Sequence, residues 1–395
     1  ILAHGVYSWV PADVQDKILE ICRKNLSANG VAYVSYNTFP GWHARGAIRE
    51  MLCYHTDRLT DPSERISEAR KLLHFLVQSA RQGVDGYSML LRQELAVLAQ
   101  TPDSYLLHEH LEECNEPVYF HQFAERAAAK GLQYLAEAHV GAMMAARFGA
   151  EAEQTLRRIS PDLLHIEQYM DFMRNRMFRQ TLLCHETIAL DHVLRRDAVK
   201  RFYIAAAVKP KPGGAEAGES EQFVGGAGAT LVTHDPLLKA AMGMLSKLWP
   251  LPVSFDDLLA AARTQLGDQS PDDAAADSLA ARLLHCHASG LVEFSLGEPA
   301  FRTDVAEFPV ASPYARLRAR DGGNVVNLRL ETVPMGKPSR QILEHLDGTH
   351  DLSSLNRLLA DWLATESPAS SDREERAHRF VSLALHGFAR SALLV

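Results

Sequence analysis

The side chains that could do chemistry in this 395-residue chain gather in two short stretches, Ala3-His4-Gly5-Val6-Tyr7-Ser8-Trp9 and Tyr36-Asn37-Thr38-Phe39-Pro40-Gly41-Trp42. His4 and Tyr7 are groups that accept a proton when geometry brings them within hydrogen-bond reach of a donor. Other constellations are weaker. His108, His110 and Cys114, and Cys286 between His285 and His287, offer soft metal ligands. Neither set has paired C-x-x-C or H-E-x-x-H spacing, and helical neighbours two apart point to different faces. They read as structural residues, and no metal site is expected. No E/D-x-G-x-G-x-G loop occurs, and Gly225-Gly226-Ala227-Gly228 neither follows a strong strand nor opens a helix.

The elements that must position the two stretches are legible around them. Ile1-Leu2-Ala3 reads as the tail of a buried strand, and Pro11 can open a helix because its missing N–H would be unpaired there anyway. Val14, Ile18, Ile21 with Cys22, and Leu26 recur at helical spacing. Asn29-Gly30 supplies a positive-φ residue to end that helix, and Val31 to Tyr36 is an apolar run suited to an interior strand. A strand-helix-strand unit makes a parallel pair with a right-handed crossover. Parallel strands are normally covered on both faces, so the unit calls for a larger doubly wound sheet. Ligands of such sheets lie outside the carboxyl ends of the strands, which puts Ala3 to Trp9 and Tyr36 to Trp42 beside whatever is bound, with His4 and Tyr36 opening on a common crevice.

From Ala44 to Gln100 the pattern is helical, with Asp61 and Glu64 set to cap the second helix and Gly83 to Gly86 breaking it. Pro117 to Lys130 reads as a helix with Gly131 as its C-cap, and Leu132 to Ala138 as a strand returning to the sheet. The helices before it are then an insertion. Ala150 to Arg158 and Pro161 to His192 are again helical. In the second, Tyr169, Phe172, Met173, Met177, Phe178, Leu182 and Leu183 form a core stripe rather than a ligand-contacting face, and Arg174, Arg176 and Arg179 read as a solvated face rather than a site for an acidic partner. Phe202 to Val208 is a strand, and the Gly-, Ala- and Pro-rich Lys209 to Ala229 is a linker.

After Asp235-Pro236 two units of winged-helix order follow. The first has helices Leu237 to Leu248, Phe255 to Leu266 and Ala274 to Ala288, then a strand Leu291 to Ser295. The second has a strand Val325 to Thr332, then helices Ser339 to Leu346, Leu352 to Leu363 and, after a Ser/Pro loop, Arg373 to Arg390.

AHGVYSWV, a helix, then NLSANGVAYVSYN resembles the fourth strand, following helix and fifth strand of a class I S-adenosylmethionine (SAM)-dependent methyltransferase. NTFPGWHARGAIREML, DGYSMLLRQELAVLA, NEPVYFHQFAERAAAKGLQYLAEA, EQYMDFMRNRMFRQTLLCHE and LDGTHDLSSL narrow it. They are similar to bacterial methyltransferases with a methyltransferase regulatory domain, among them lysine methyltransferases of outer-membrane proteins. The resemblance implies an α/β fold followed by a mainly α part. A partial class I (Rossmann-like) sheet would occupy 1–46, a helical regulatory domain 47–142, a helical middle region with linker 143–235, and tandem winged-helix-like units 236–395. It implies SAM as cofactor, bordered by Ala3, His4 and Gly5. Tyr7, Trp9, Tyr36 and Asn37 would line the acceptor pocket, gripping an amine through cation–π contact, and Tyr7, Tyr36 and Asn37 are the catalytic candidates. The opposing view is that Trp9 and Tyr36 merely pack a helix against the sheet. The family's Gly-rich loop would lie upstream of Ile1, so the chain is expected to be N-terminally truncated.

Charge narrows the partners. Lys+Arg 41 against Asp+Glu 49 leaves −8 overall, and from Pro236 onward 16 Lys+Arg against 20 Asp+Glu leave −4, which argues against a phosphate-neutralising surface and for a protein partner. No apolar run approaches the roughly 20 residues of a membrane helix. Five scattered cysteines suit reduced thiols and a cytoplasmic location. Long helices with apolar faces suggest a homodimer. Two functions fit: a SAM-dependent methyltransferase of protein side chains, with lysine favoured, or a non-catalytic regulatory or protein-binding module derived from one.

Overall fold

Ala32, Val34 and Tyr36 alternate with Tyr33, Ser35 and Asn37, and a strand of period two must send these sets to opposite faces. A computed structural model describes residues 1–80, 85–211, 220–267, 273–366 and 373–395. It divides into two compact units, Ile1–Val193 and Leu194–Val395.

In the first unit β1 (Leu2–Ala3), α1 (Ala12–Asn25) and β2 (Ala32–Asn37) are the expected strand-helix-strand, with Leu2 opposite Tyr33 and Ala3 opposite Val34 in parallel register. Helix α1 stops differently from the expectation. Leu26, in extended conformation, caps it through its N–H on the Cys22 carbonyl, and Gly30 is not at positive φ.

The insertion follows as α2 (Gly41–Thr56), α3 (Pro62–Ser79), α4 (Gly86–Gln100) and α5 (Asp103–Leu111), the last of which sequence reading passed over. The Asp61 carboxylate caps α3 by accepting the Glu64 N–H at 2.9 Å. The Gly83 end of the expected break lies outside the described residues. Ile48, Leu52, Ala69, Leu73, Leu91, Leu98 and Leu106 give these helices a core of their own.

Next come α6 (Phe120–Ala128), β3 (Leu132–Glu137), α7 (Ala150–Ile159), α8 (Leu163–Arg174) and β4 (Phe178–His185). Gly131 sits at φ 77° between α6 and β3. The single helix expected over 161–192 is therefore two elements. Asn175, left-handed at φ 50°, ends α8, and β4 enters the sheet antiparallel between β2 and β3, in the order β1-β2-β4-β3. The three strands expected in one sheet are there. Leu19 and Cys22 of α1 and Phe123 and Ala127 of α6 bury the face that carries Ala32, Val34, Tyr36 and Leu183.

The second unit opens with α9 (Arg196–Val199) and β5 (Tyr203–Ala205). The expected linker is partly ordered: β6 (Lys209–Pro210), β7 (Glu221–Val224) and β8 (Thr230–Thr233) form an antiparallel sheet, and 212–219 lie outside the described residues. Then α10 (Pro236–Leu248), β9 (Val253–Ser254), α11 (Phe255–Leu266), α12 (Asp273–Ala288) and β10 (Glu293–Ser295) give the expected three helices and strand. Strand β5 lies between β9 and β10, so this unit begins near 194 rather than at 236.

The last part holds α13 (Pro313–Arg320), β11 (Val325–Val326), β12 (Thr332–Val333), α14 (Lys337–Glu344), α15 (Leu352–Glu366) and α16 (Arg373–Arg390). The strand expected over 325–332 is a hairpin, with Val325 opposite Val333, and the expected Ser/Pro loop falls at 367–372, outside the described residues. Separate cores, one around Met242, Leu258 and Leu283 and one around Leu343, Val381 and Leu393, underlie the two winged-helix-like parts.

Candidate active site

Beyond the register pair Ala3 and Val34, the two chemistry-bearing stretches leave the sheet at the same end and are tied together. The Gly5 N–H donates to Ser35 Oγ at 2.8 Å, His4 Nδ1 lies 3.0 Å from the Tyr33 hydroxyl and 3.1 Å from Ser35 Oγ, and the Asn37 N–H donates to Ser8 Oγ at 2.8 Å. Gly5 is exposed at φ 65°, with nothing within 4 Å of where a Cβ would stand. That conformation favours glycine, and the open space leaves its backbone free for close approach by a ligand.

Tyr7 and Tyr36 are not part of that opening. Their relative exposures are 0% and 1%; the Tyr36 ring stacks on Phe123 at 4.1 Å, Tyr7 meets Phe123 edge-on at 5.2 Å, and the Tyr36 hydroxyl faces Thr181 Oγ1 at 3.2 Å. Burial pushes both phenols up, Tyr36 well above the ordinary value of 10.0. A sealed, protonated phenol neither lines an acceptor pocket nor takes a proton at neutral pH. The cause is the strand period: Tyr36 shares the helix-covered face with Ala32 and Val34, whereas His4 bonds Tyr33 and Ser35 on the other, so the common crevice expected of His4 and Tyr36 does not form. Asn37 remains at the edge, its Nδ2 donating to Asn115 Oδ1 at 3.1 Å. Trp9 is half-buried, 4.3 Å from the His108 ring and edge-on to Trp42 at 6.3 Å.

Sequence reading missed an aromatic group at this edge. Segment 117–119 runs beside 37–39: Val118 N–H donates to the Asn37 carbonyl at 3.3 Å, Phe39 N–H to the Val118 carbonyl at 3.3 Å, and Thr38 Oγ1 to the same carbonyl at 2.7 Å. Tyr119 is thereby set 5.3 Å from Phe39, which stacks on His43 at 4.1 Å and 13°. The adjacency of 39 and 119 is a product of this pairing, and nothing local in the sequence signals it.

It also misread Arg179. This side chain is wholly buried, over the Phe120 ring at 3.8 Å, donating to Asp171 at 2.8 and 2.9 Å, to Glu137 at 2.7 Å and to Glu167 at 3.1 Å. Arg176 adds a contact to Glu137 at 2.8 Å, and Arg174 lies over the Phe148 ring at 4.7 Å and donates to the Ala142 carbonyl, so the solvated-face reading fails for all three arginines. Burial drives the Glu167 carboxyl up to about 7 and raises Asp171, against the pull of Arg179. Two guanidiniums face three carboxylates, and a proton on Glu167 relieves the excess. Thr181 Oγ1 donates to Glu137 at 2.8 Å, linking the cluster to Tyr36.

In the insertion, Arg45 donates twice to Glu94 (3.0 and 3.1 Å) and His110 Nε2 lies 2.7 Å from the same oxygen. Burial opposes ionisation of Glu94, but the His110 hydrogen bond and the Arg45 charge outweigh it and hold the carboxyl below its usual range. His287 Nδ1 faces the Val292 carbonyl at 2.9 Å. Among the described residues no three His, Cys, Asp or Glu side chains group as metal ligands, and no helix is long and apolar enough to cross a membrane.

Comparison with known proteins adds to this geometry. A family described as "predicted methyltransferase regulatory domain" matches residues 102–185, later than the 47–142 expected, and "PKMT, C-terminal winged helix domain" matches 307–393. The chain is similar to RP789 of Rickettsia prowazekii, 38% identical over 275 residues covering 68% of this chain and 50% of RP789, and to sll1526 of Synechocystis, 26% identical over 193 residues covering 48% and 38%. The chain thus spans half the length of RP789. Among solved structures it matches PKMT2 from Rickettsia typhi, alone and in complex with AdoHcy, at a TM-score of 0.86 and 29% identity, covering 100% of this chain and 80% of that one. The mixed α/β architecture with a winged-helix part and the resemblance read from the sequence are both borne out.

Proposed function

We propose that this chain forms the acceptor side of a SAM-dependent methyltransferase that acts on protein side chains, lysine favoured. The observation that carries the reading is the meeting of His4 and Gly5 with Ser35, and of Ser8 with Asn37, at the carboxyl ends of two parallel strands, where a doubly wound sheet holds its ligand. PKMT2 with AdoHcy bound supports the cofactor. Ala3, His4 and the open backbone of Gly5 fit its methionine end, and bound there SAM supplies an electrophilic methyl group. Asn37 and Trp9 stand on the acceptor side. The chain's own work is alignment and exclusion of water, which carry much of the barrier reduction in an in-line displacement.

The partner in this reading is a polypeptide, in the cytoplasm, and not nucleic acid. Tyr54, Phe75 and Met89 of the helical insertion, all exposed, support association with a second copy. The second reading is a binding module without catalysis. Calorimetry separates them: the intact protein binds SAM at micromolar concentration and the 395-residue chain binds it poorly, for want of the loop and helix N-terminus that hold such a cofactor. No binding by the intact protein would leave the module.

A further inference from the structure

We infer that the lysine side chain of a protein substrate is received on an aromatic wall made by Phe39, His43 and Tyr119, toward which the acidic loop 112–116 steers it; the inference rests on the protein-methyltransferase reading and deepens it. The wall stands where chain leaves β2, directly after Asn37. Phe39 and His43 are stacked at 4.1 Å, His43 Nε2 meets the Tyr119 hydroxyl at 3.0 Å, and Tyr119 continues edge-on to the exposed Phe172 at 6.0 Å. Its backbone is held on both sides, by Thr38 and Phe39 on Val118 and by the Gly41 N–H on the Arg176 carbonyl at 2.9 Å. Such a wall is presented without reordering.

Charge selects the occupant. Glu112, Glu113 and Glu116 are exposed, and the loop that carries them is fastened along the same edge, Asn115 to Asn37 and the Glu116 N–H to the Ser8 carbonyl at 2.7 Å. Arg49 holds the loop through the backbone carbonyls of Glu112 and Glu113 and not through their carboxylates; Glu112 Oε1 accepts the Glu113 N–H at 3.4 Å, and among the described residues none of the three exposed glutamates forms an ion pair. An aromatic wall with exposed carboxylates in no ion pair on the loop that leads to it, Glu116 three residues before Tyr119, suits a cation on an apolar stem. Lysine is that group: its four methylenes cover ring surface while the ammonium, bare or methylated, is drawn to the rings and carboxylates. An acidic peptide would be repelled, and a neutral aliphatic one would forgo the charge.

Saturation-transfer NMR with Ac-Gly-Lys-Gly-NH2 tests this on the 395-residue chain without requiring turnover. Transfer to the lysine methylenes is expected. It should fall about fivefold or more in Phe39→Leu and Tyr119→Ala, with the norleucine peptide, and in the Glu112→Gln/Glu113→Gln/Glu116→Gln triple variant, but persist in Phe75→Ala; retained ellipticity certifies the fold. Equal transfer to the norleucine peptide, or undiminished transfer in Phe39→Leu and Tyr119→Ala, overturns the inference. A parallel assay of the intact enzyme locates any failure. Methyl transfer with an unchanged KM for protein acceptor in Phe39→Leu defeats the wall alone, whereas lysine binding at the wall with no methyl transfer by the unmodified enzyme defeats the functional reading and leaves the wall.

Discussion

Arg179 is wholly buried and is held by three carboxylates and a ring face, so its removal strands buried negative charge rather than deleting a contact. Breaking one side of a buried ion cluster costs about 3–5 kcal/mol. Arg179→Ala is expected to lower the unfolding free energy of the first unit, read from urea denaturation, by that much, or to leave it unfolded, while Arg157→Ala, on an exposed helical pair, changes it little. Glu167 predicts a pH dependence of definite sign. Its folded value of about 7 exceeds the ordinary 4.5, so the folded state binds the proton more tightly. The stability this group contributes is full below 4.5 and is lost as pH rises through 7, about 3 kcal/mol in all. Glu167→Gln should flatten the fall in melting temperature between pH 5 and pH 8; an unchanged slope would count against a proton on Glu167.

At the scale of elements, the N-terminus of α2 meets the turn between α8 and β4 with no room to spare. A Cβ on Gly41 would stand 2.6 Å from the carbonyl oxygens of Asn175 and Arg176 and would strike Met177 Cγ. Backbone cannot yield as a flexible side chain does, so Gly41→Ala should destabilise the unit by about 1–3 kcal/mol and disturb the neighbouring Phe39, seen as a lower denaturation midpoint. This junction also marks where sequence reading failed. Met177, Phe178, Leu182 and Leu183 fall at spacings a helix stripe shares, and only β2 and β3, distant in the chain, make 178–185 a strand. The strand-helix-strand opening, the Asp61 cap and the three helices after Pro236 were readable because their signals are local. Tyr36 was misplaced because an aromatic at a strand's carboxyl end serves a core as well as a pocket, and the meeting of Phe39 with Tyr119 went unseen because 80 residues separate them.

At the scale of the molecule, residues 307–393 match the family described as "PKMT, C-terminal winged helix domain", and many winged helices bind DNA. The net −4 from Pro236 onward sets the expectation for this one. In fluorescence anisotropy with random duplex at low salt, where electrostatic attachment is strongest, no binding is expected; tight binding that salt abolishes would show a phosphate-neutralising surface after all. The central claim is methyl transfer to a protein lysine, and mass spectrometry of an acceptor protein incubated with the intact enzyme and methyl-labelled SAM tests it most directly. The account predicts mass increments of one or more methyl groups on lysine residues, dependent on the enzyme and diminished in Phe39→Leu; transfer confined to small molecules or nucleic acid, or no transfer by an enzyme that binds SAM, would contradict it.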